Sequence, residues 1–352
     1  MRKKTRQIKL GGVKIGGGAP VSIQSMINTD TKDISAAVKQ IGGLSKAGCE
    51  IIRVAIKDKE CASAIKSIKK KISIPLEADI HFDYRLALIA AESGADGIRL
   101  NPGNITNPKH VKAVISACSR MKIPIRIGAN SGSLTGKYKS SGTSNKVSGM
   151  VKSVMDYLKL FERERFFNVM ISLKSSDVQT TISAYRKIAL LCNYPLHLGV
   201  TATGQGEEAI IKSAIGIGTL LSEGIGDTIR VSLTGDPKQE ITVARHILQA
   251  LSLRRFYHDI ISCPTCGRCQ VDLEKIVQQF KDQLTTYNLQ LTTGKLLTIA
   301  IMGCEVNGPG EAKDADIGIA FGRDSGILFK KGKIIKKVKA KDTVKELLNA
   351  LF

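Results

Sequence analysis

A (β/α)8 (TIM) barrel followed by a small α/β domain is the fold class that this sequence predicts, on three observations. From Pro20 to about Asp236, eight short β-rich runs alternate with helical stretches, and strand, helix, strand repeated eight times closes a barrel. After about Ser252 the alternation gives way to a cysteine run, further strands and a closing helix. The length of 352 residues fits a barrel of about 250 plus a domain of about 100. The boundaries are drawn at 1–253 and 254–352.

The elements follow in order. The opening GGVKIGGGAP is a turn-rich hairpin, placed at the barrel bottom. The strands are PVSIQSM, EIIRVAI, IPLEADI, GIRLNPG, IPIRIGAN, NVMISLK, LHLGVTA and TIRVSL. Between them lie stretches with apolar residues at helical period, such as 33–49 and 176–192. The second domain reads as a strand (HDIIS), the cysteines, a helix over 271–284, the strands LLTIAIMG and DIGIAFG, a hairpin at GILFKKGKII, and the helix DTVKELLNALF.

Composition narrows the function. At 43% hydrophobic residues the chain has material for sizeable cores. The start, MRKKTRQIKLGG, lacks the apolar run of a signal peptide, and no stretch is long and apolar enough to span a membrane, so a cytoplasmic location is expected. Eight cysteines in a reducing compartment point to metal rather than disulfides where they cluster. Cys49, Cys61, Cys118 and Cys192 stand singly in apolar stretches and read as buried thiols. A net charge of +22 invites a nucleic-acid reading, but the lysines are scattered over helix faces and tails, and no aromatic interleaving suggests base stacking.

In such a barrel the site lies at the carboxyl ends of the strands. Those ends carry Gln24, Arg53, Asp79 with His81, Arg99 with Asn101, Arg126 with Asn130, Lys174 with Ser175, His197 with Thr201, and Arg230 with Ser232. Five cations converge there against Asp79 and Glu77. A desolvated cation needs a counter-charge, so the surplus asks for an anion, and the planar fork of arginine suits phosphate oxygens. Gly204-Gln205-Gly206-Glu207-Glu208-Ala209 formally fits a dinucleotide fingerprint, but its two glutamates would repel a pyrophosphate, and it reads as a loop feature.

In the second domain Cys263, Cys266 and Cys269 form C-x2-C-x2-C, and Cys304 follows a strand in MGCEVNGPGE. A zinc ribbon wants paired cysteines at both ends, whereas a solitary distant cysteine commonly completes a 4Fe-4S site. From spacing alone the obvious ligand set is all four cysteines. Glu311, in a loop rich in Gly and Pro, can bring a carboxylate to the same place.

The motifs QSMINTDT, ADIHFDYRLAL, IRLNPGN, EGIGDTIRVSL, CPTCGR and MGCEVNGPGEA together resemble the 4-hydroxy-3-methylbut-2-enyl diphosphate synthase family over essentially the whole chain. The resemblance implies the two-domain bacterial form, a substrate-binding barrel and an iron-sulfur domain. It implies reductive ring opening and dehydroxylation of 2-C-methyl-D-erythritol 2,4-cyclodiphosphate, with electrons from ferredoxin or flavodoxin. It implies a 4Fe-4S cluster on Cys263, Cys266, Cys304 and Glu311, the substrate binding at the iron that Glu311 holds, with Cys269 a bystander. The diphosphate is expected against Arg53, Arg99, Asn101, Arg126, Asn130, Lys174, Arg230 and Ser232, with Asp79 and His81 in catalytic positions. A homodimer with the cluster domain over the partner's barrel is also implied. Where many relatives read Thr-Glu-Ala-Gly, this chain has Thr201-Ala202-Thr203-Gly204. That leaves the proton donor open among Glu207, Glu208, His81, Asp79 and water.

Two rival readings are weighed. A pterin-binding barrel of the dihydropteroate synthase type has no need of the cysteines. A non-catalytic electron carrier or basic RNA-binding protein with a structural cluster would show a chelator-resistant, all-cysteine cluster and salt-steep RNA binding, and a cluster whose spectrum changes with a cyclic diphosphate excludes it.

Overall fold

The structure, a computed structural model, describes residues 2–139, 142–286, 296–305, 310, 312–323 and 325–351. It divides into two compact units, Met1–Arg254 and Arg255–Phe352.

The first unit opens with an antiparallel hairpin, Ile8–Leu10 and Val13–Ile15. Eight strands then alternate with eight helices among the described residues: β1 (Ser22–Met26), α1 (Ile34–Ala47), β2 (Ile51–Ile56), α2 (Lys59–Lys69), β3 (Leu76–Ile80), α3 (Tyr84–Glu92), β4 (Gly97–Leu100), α4 (Pro108–Met121), β5 (Ile125–Asn130), α5 (Thr143–Arg163), β6 (Val169–Lys174), α6 (Val178–Leu191), β7 (His197–Leu198), α7 (Gly206–Ser222), β8 (Thr228–Ile229) and α8 (Pro237–Ala250). The strands pair in parallel in the order β6-β5-β4-β3-β2-β1-β8-β7, and a parallel bridge from Ile171 to Leu196 joins the two ends into a barrel.

Local chemistry explains the alternation. Strands β3 and β6 are buried along their whole length, as parallel strands covered on both faces must be. Asp33, Asp58, Asp83, Asn107, Asp177 and Asp236 each cap a helix by accepting a backbone N–H of its first turn. Such a cap stabilises a helix by about 1 kcal/mol. Pro108 and Pro237 begin α4 and α8, where a missing N–H costs nothing. The hairpin's Ile8, Leu10 and Ile15 bury against Ile51 and Met170, which lie at the amino ends of β2 and β6. The hairpin therefore stops the barrel at its amino-terminal end. No helix among the described residues is long and apolar enough to cross a membrane.

The second unit is a five-stranded sheet with β9 (Asp259–Ser262), α9 (Leu273–Thr286), β10 (Thr298–Met302), β11 (Ile317–Phe321), β12 (Ser325–Lys330), β13 (Lys333–Lys339) and α10 (Thr343–Asn349). The sheet order follows the chain; β9, β10 and β11 are parallel, and β12 and β13 continue antiparallel. One face, with Ile299, Ile301, Ile319 and Leu328, packs on Phe280 of α9 and Leu347 of α10. The other carries a smaller cluster, Ala300, Met302, Ala320 and Phe329.

Candidate functional site

Successive strand residues alternate between the two sides of a barrel wall, so Glu77 and Asp79 share a face, as do Ser172 and Lys174. In this barrel those shared faces point inwards and carry charge. Deepest lies a buried fork. The Arg126 guanidinium donates to both carboxylate oxygens of Glu77, through Nε at 2.9 Å and through Nη2. Gln24 donates to the same carboxylate at 3.1 Å, and Arg126 Nη1 reaches Ser172 Oγ at 3.2 Å. Both charged side chains are 1% exposed. Removing one partner of such a pair costs about 3 to 5 kcal/mol, because the other charge stays buried and unpaired.

Above it, Asp79 takes Arg99 Nη1 at 3.0 Å and Arg53 Nε at 3.6 Å. Burial alone would raise the Asp79 carboxyl, but Arg53 and Arg99 outweigh it and hold the group at about 2. Burial lowers the Arg53 guanidinium to about 9 despite Asp79. Lys174 Nζ lies 3.0 Å from His197 Nε2. Burial, then the charges of Arg126, Arg53, Arg230 and Arg99, push Lys174 well below the ordinary lysine range. His197 is likewise pushed down, by burial and then by Lys174, so its imidazole is neutral.

Two glycines make this crowding possible. A Cβ on Gly128 would stand 2.6 Å from Arg99 Nε, and one on Gly199 would stand 2.8 Å from Lys174 Nζ. Each opens a slot that a side chain then fills.

The charge count at the mouth needs one correction. Glu240, on α8, is buried and accepts from Arg230 at 3.3 and 3.4 Å, from Ser25 Oγ at 3.0 Å and from Leu233 N at 3.2 Å. Five cations thus face three carboxylates, not two, and the surplus is smaller but still positive. Asn101 Nδ2 donates to Ser133 Oγ at 2.9 Å while its Oδ1 accepts from Gly103 N at 3.0 Å, which fixes the loop after β4. Asn130 ends β5, and its carbonyl accepts from Ser133 Oγ. Ser232 follows β8, its carbonyl accepting from Thr203 Oγ1. His81, half-buried, follows β3, and its charge helps lower Asp79. The structure brings Arg53, Asp79, Arg99, Arg126, Lys174 and Arg230 into one electrostatic group.

Of the candidate proton donors, two lie elsewhere. Glu208 pairs with Lys212 one turn along α7, and Glu207 lines a groove with Ile210, Thr242, Val243 and His246 between α7 and α8. Ala202 sits at φ 51°, a left-handed conformation unusual for a residue with a Cβ, at the turn after β7.

In the second unit the parallel pairing of β9 with β10 sets Ser262 beside Ile301, so the chain beyond both strands carries Cys263 and Cys304 at the same end of the sheet. Gly303 N donates to Cys263 Sγ at 3.2 Å. The loop folds back through Cys269 N to Cys266 O and Gln270 N to Gly303 O, both at 2.9 Å. Cys266 is exposed, and the Arg268 backbone N–H and then its guanidinium lower its thiol, favouring thiolate. Arg268 in turn is raised by both Cys266 and Cys304. Nothing in the spacing of CPTCGR marks this arginine for a role. Cys269 does otherwise: its thiol donates to Val271 O at 3.2 Å and packs where a Cβ on Gly303 would be only 2.4 Å away. It stands as a partly buried packing residue.

Glu311 lies outside the described residues. Among the described residues, no group of three or more His, Cys, Asp or Glu is gathered to hold a metal ion. The donor chemistry is that of soft sulfur ligands at one sheet end, one accepting a backbone N–H and one beside a guanidinium, which fits an iron-sulfur cluster.

Residues 5–245 match the GcpE TIM-barrel domain, and residues 259–351 match the GcpE protein C-terminal domain. A protein of Clostridium perfringens named 4-hydroxy-3-methylbut-2-en-1-yl diphosphate synthase (flavodoxin) is 52% identical over 350 residues, 99% of each chain. A protein of the same name from Geobacter sulfurreducens is 47% identical over 348 residues, 99% of this chain and 97% of the other. Among solved structures, dihydropteroate synthase from Stenotrophomonas maltophilia superposes with a TM-score of 0.53 at 13% identity, covering 70% of this chain and 98% of that one. At that identity the likeness shows the barrel fold and nothing of the pterin chemistry, whereas both units match one family in sequence: the chain belongs to the GcpE family.

Proposed function

We propose that this chain is an oxidoreductase, a 4-hydroxy-3-methylbut-2-en-1-yl diphosphate synthase that takes electrons from flavodoxin. It opens the ring of 2-C-methyl-D-erythritol 2,4-cyclodiphosphate and removes a hydroxyl, consuming two electrons and releasing water. The observation that carries the reading is the full-length likeness to relatives of that name, at 52% identity over 99% of both chains. The barrel's residual positive charge supports it, since a cyclic diphosphate supplies the missing negative charge.

Arg53, Arg99, Arg126, Lys174 and Arg230 hold the two phosphates, while Glu77, Asp79 and Glu240 fix the guanidinium groups before the ligand arrives. Preorganised charge of this kind needs no reorganisation during reaction. Asn101, Asn130 and Ser232 complete the polar wall from the strand ends. Asp79 and His81 are the carboxylate and imidazole placed to manage the proton that leaves with the hydroxyl as water. Asp79, held ionised, orients; His81, half-buried after β3, donates.

A 4Fe-4S cluster would be held by Cys263, Cys266, Cys304 and Glu311. When bound, it supplies single electrons and a Lewis-acidic iron. Arg268 stabilises the thiolates of Cys266 and Cys304 electrostatically, and the Gly303 N–H steadies Cys263. Glu311 would give the cluster a hard oxygen ligand, which exchanges more readily than thiolate. The reading includes a homodimer in which one chain's cluster unit serves its partner's barrel, and a cytoplasmic setting.

The test is anaerobic iron-sulfur reconstitution of Cys269→Ala and Glu311→Ala beside the unmodified chain, with iron counts and turnover. Cys269→Ala keeps both. Glu311→Ala keeps a damaged cluster and loses at least about tenfold in turnover, the scale on which changed metal shells act. Loss of iron from Cys269→Ala would sink the ligand assignment.

A further inference from the structure

Strand β13 is an edge strand with one neighbour, β12, among the described residues. Of its seven residues only Val338 is buried. Residues 330–345 contain Lys330, Lys331, Lys333, Lys336, Lys337, Lys339, Lys341 and Lys345 against a single acidic residue, Asp342. Lys336 pairs with Glu346 of α10, whereas Lys337 and Lys339 make no ion pair among the described residues. Lysine on an edge strand is a common guard against strand-to-strand aggregation. That role does not account for Ile334 and Ile335, which stand 73% and 49% exposed among those lysines. Two exposed isoleucines defeat a guard.

The register places this edge. Residues opposite each other in an antiparallel pair share a face. Ile334 opposes Phe329, Lys337 opposes Ile327 and Lys339 opposes Ser325, so all three lie on the face away from α9 and α10. A continuous row runs across the sheet from Met302 to Ala320, Ile327 and Lys337. Three strand spacings put Lys337 about 14 Å from Met302. Met302 is two residues before Cys304, so Lys337 and Lys339 lie at the end of the sheet that carries the cysteines.

We propose that the β12–β13 edge is the docking surface for the electron donor, a small acidic flavoprotein of the flavodoxin kind, with Lys337 and Lys339 as its electrostatic contacts and Ile334 as its apolar anchor. An apolar centre ringed by charge opposite to the partner's is what a transient, steered complex requires. The lysine-dense stretch of residues 66–71 belongs to the barrel unit and not to the unit that carries the clustered cysteines, and Lys69 there is already paired with Asp96. The proposal rests on the activity put forward above, which requires a donor.

The experiment uses the reconstituted, full-length enzyme and its Lys337→Glu/Lys339→Glu variant, with a bacterial flavodoxin as probe. Binding is measured by calorimetry, and turnover is measured with flavodoxin and, separately, with reduced methyl viologen. The variant should weaken flavodoxin Kd and raise its KM at least about tenfold, and added salt should shrink the difference between the two proteins. Viologen-supported turnover should stay as in the unmodified enzyme. Ile334→Ser, which removes apolar surface without adding charge, should weaken binding with little salt dependence. If the charge reversal unfolds the protein by circular dichroism, Lys337→Ser/Lys339→Ser carries the same comparison. Unchanged flavodoxin affinity in a folded variant, or no flavodoxin binding to the unmodified enzyme, overturns the docking surface. Absence of turnover with viologen in the unmodified enzyme overturns instead the activity, and the binding measurement still decides the surface.

Discussion

Burial and four guanidinium groups push Lys174 towards its neutral form, while Arg53 and Arg99 hold the neighbouring Asp79 ionised. The two residues register the same excess of positive charge with opposite signs. For Asp79 this has a consequence for stability. Its folded value of about 2 lies below the ordinary 3.8, so the unfolded chain binds the proton more readily. The stabilisation is therefore fully present above pH 3.8 and is lost as pH falls through about 2, amounting to about 2 kcal/mol. Asp79→Asn should be less stable than the unmodified chain at neutral pH, because Arg99 and Arg53 lose their partner. It should then lose less of its remaining stability across the acid window, as followed by denaturant unfolding at a series of pH values. An identical acid slope in both proteins would remove Asp79 from the account.

At the scale of elements, strand composition decides what each wall of the barrel can hold. Gly128 of β5 is where Arg99 of β4 passes, with its Nη2 donating to the Gly128 carbonyl at 2.8 Å. In Gly128→Ala the new Cβ would meet Arg99 Nε at 2.6 Å and Ser172 Oγ at 3.0 Å, so the guanidinium must leave its place beside Asp79. KM for the cyclic diphosphate should rise about tenfold, with a smaller change in kcat, because a binding group is displaced. Steady-state kinetics at fixed reductant measure this, and an unchanged KM would mean Arg99 does not touch the ligand.

The strands themselves were legible because buried parallel strands read as short apolar runs between capped helices, as IPLEADI and NVMISLK do. The barrel cations were legible because each interrupts or ends such a run; Lys174 ends β6, whereas Arg126 is the second residue of β5 and so lies deeper than the strand ends. Glu240 was not, since in PKQEITVARH it looks like any solvated charge on a helix, and only folding brings α8 back over Arg230. Arg268 was hidden for another reason. Its meaning depends on Cys304, far along the chain and brought near by the pairing of β9 with β10. The environment of Cys269 was equally out of reach, being set by its fit against Gly303.

At the scale of the molecule there are two units with separate cores, one holding the buried cations of the barrel and the other the clustered cysteines. If activity requires two chains, as the proposed homodimer does, specific turnover should fall as enzyme is diluted through its dimer dissociation constant, and sedimentation should report monomers over the same range. Constant turnover per chain through that range would show that one chain suffices.

The hairpin of residues 8–15 closes the amino-terminal end of the barrel with Ile8, Leu10 and Ile15. Whatever enters must then come in and go out by a single door, with no rear exit for spent material. On the proposed activity, product carrying the same two phosphates would have to leave by the opening through which the substrate came.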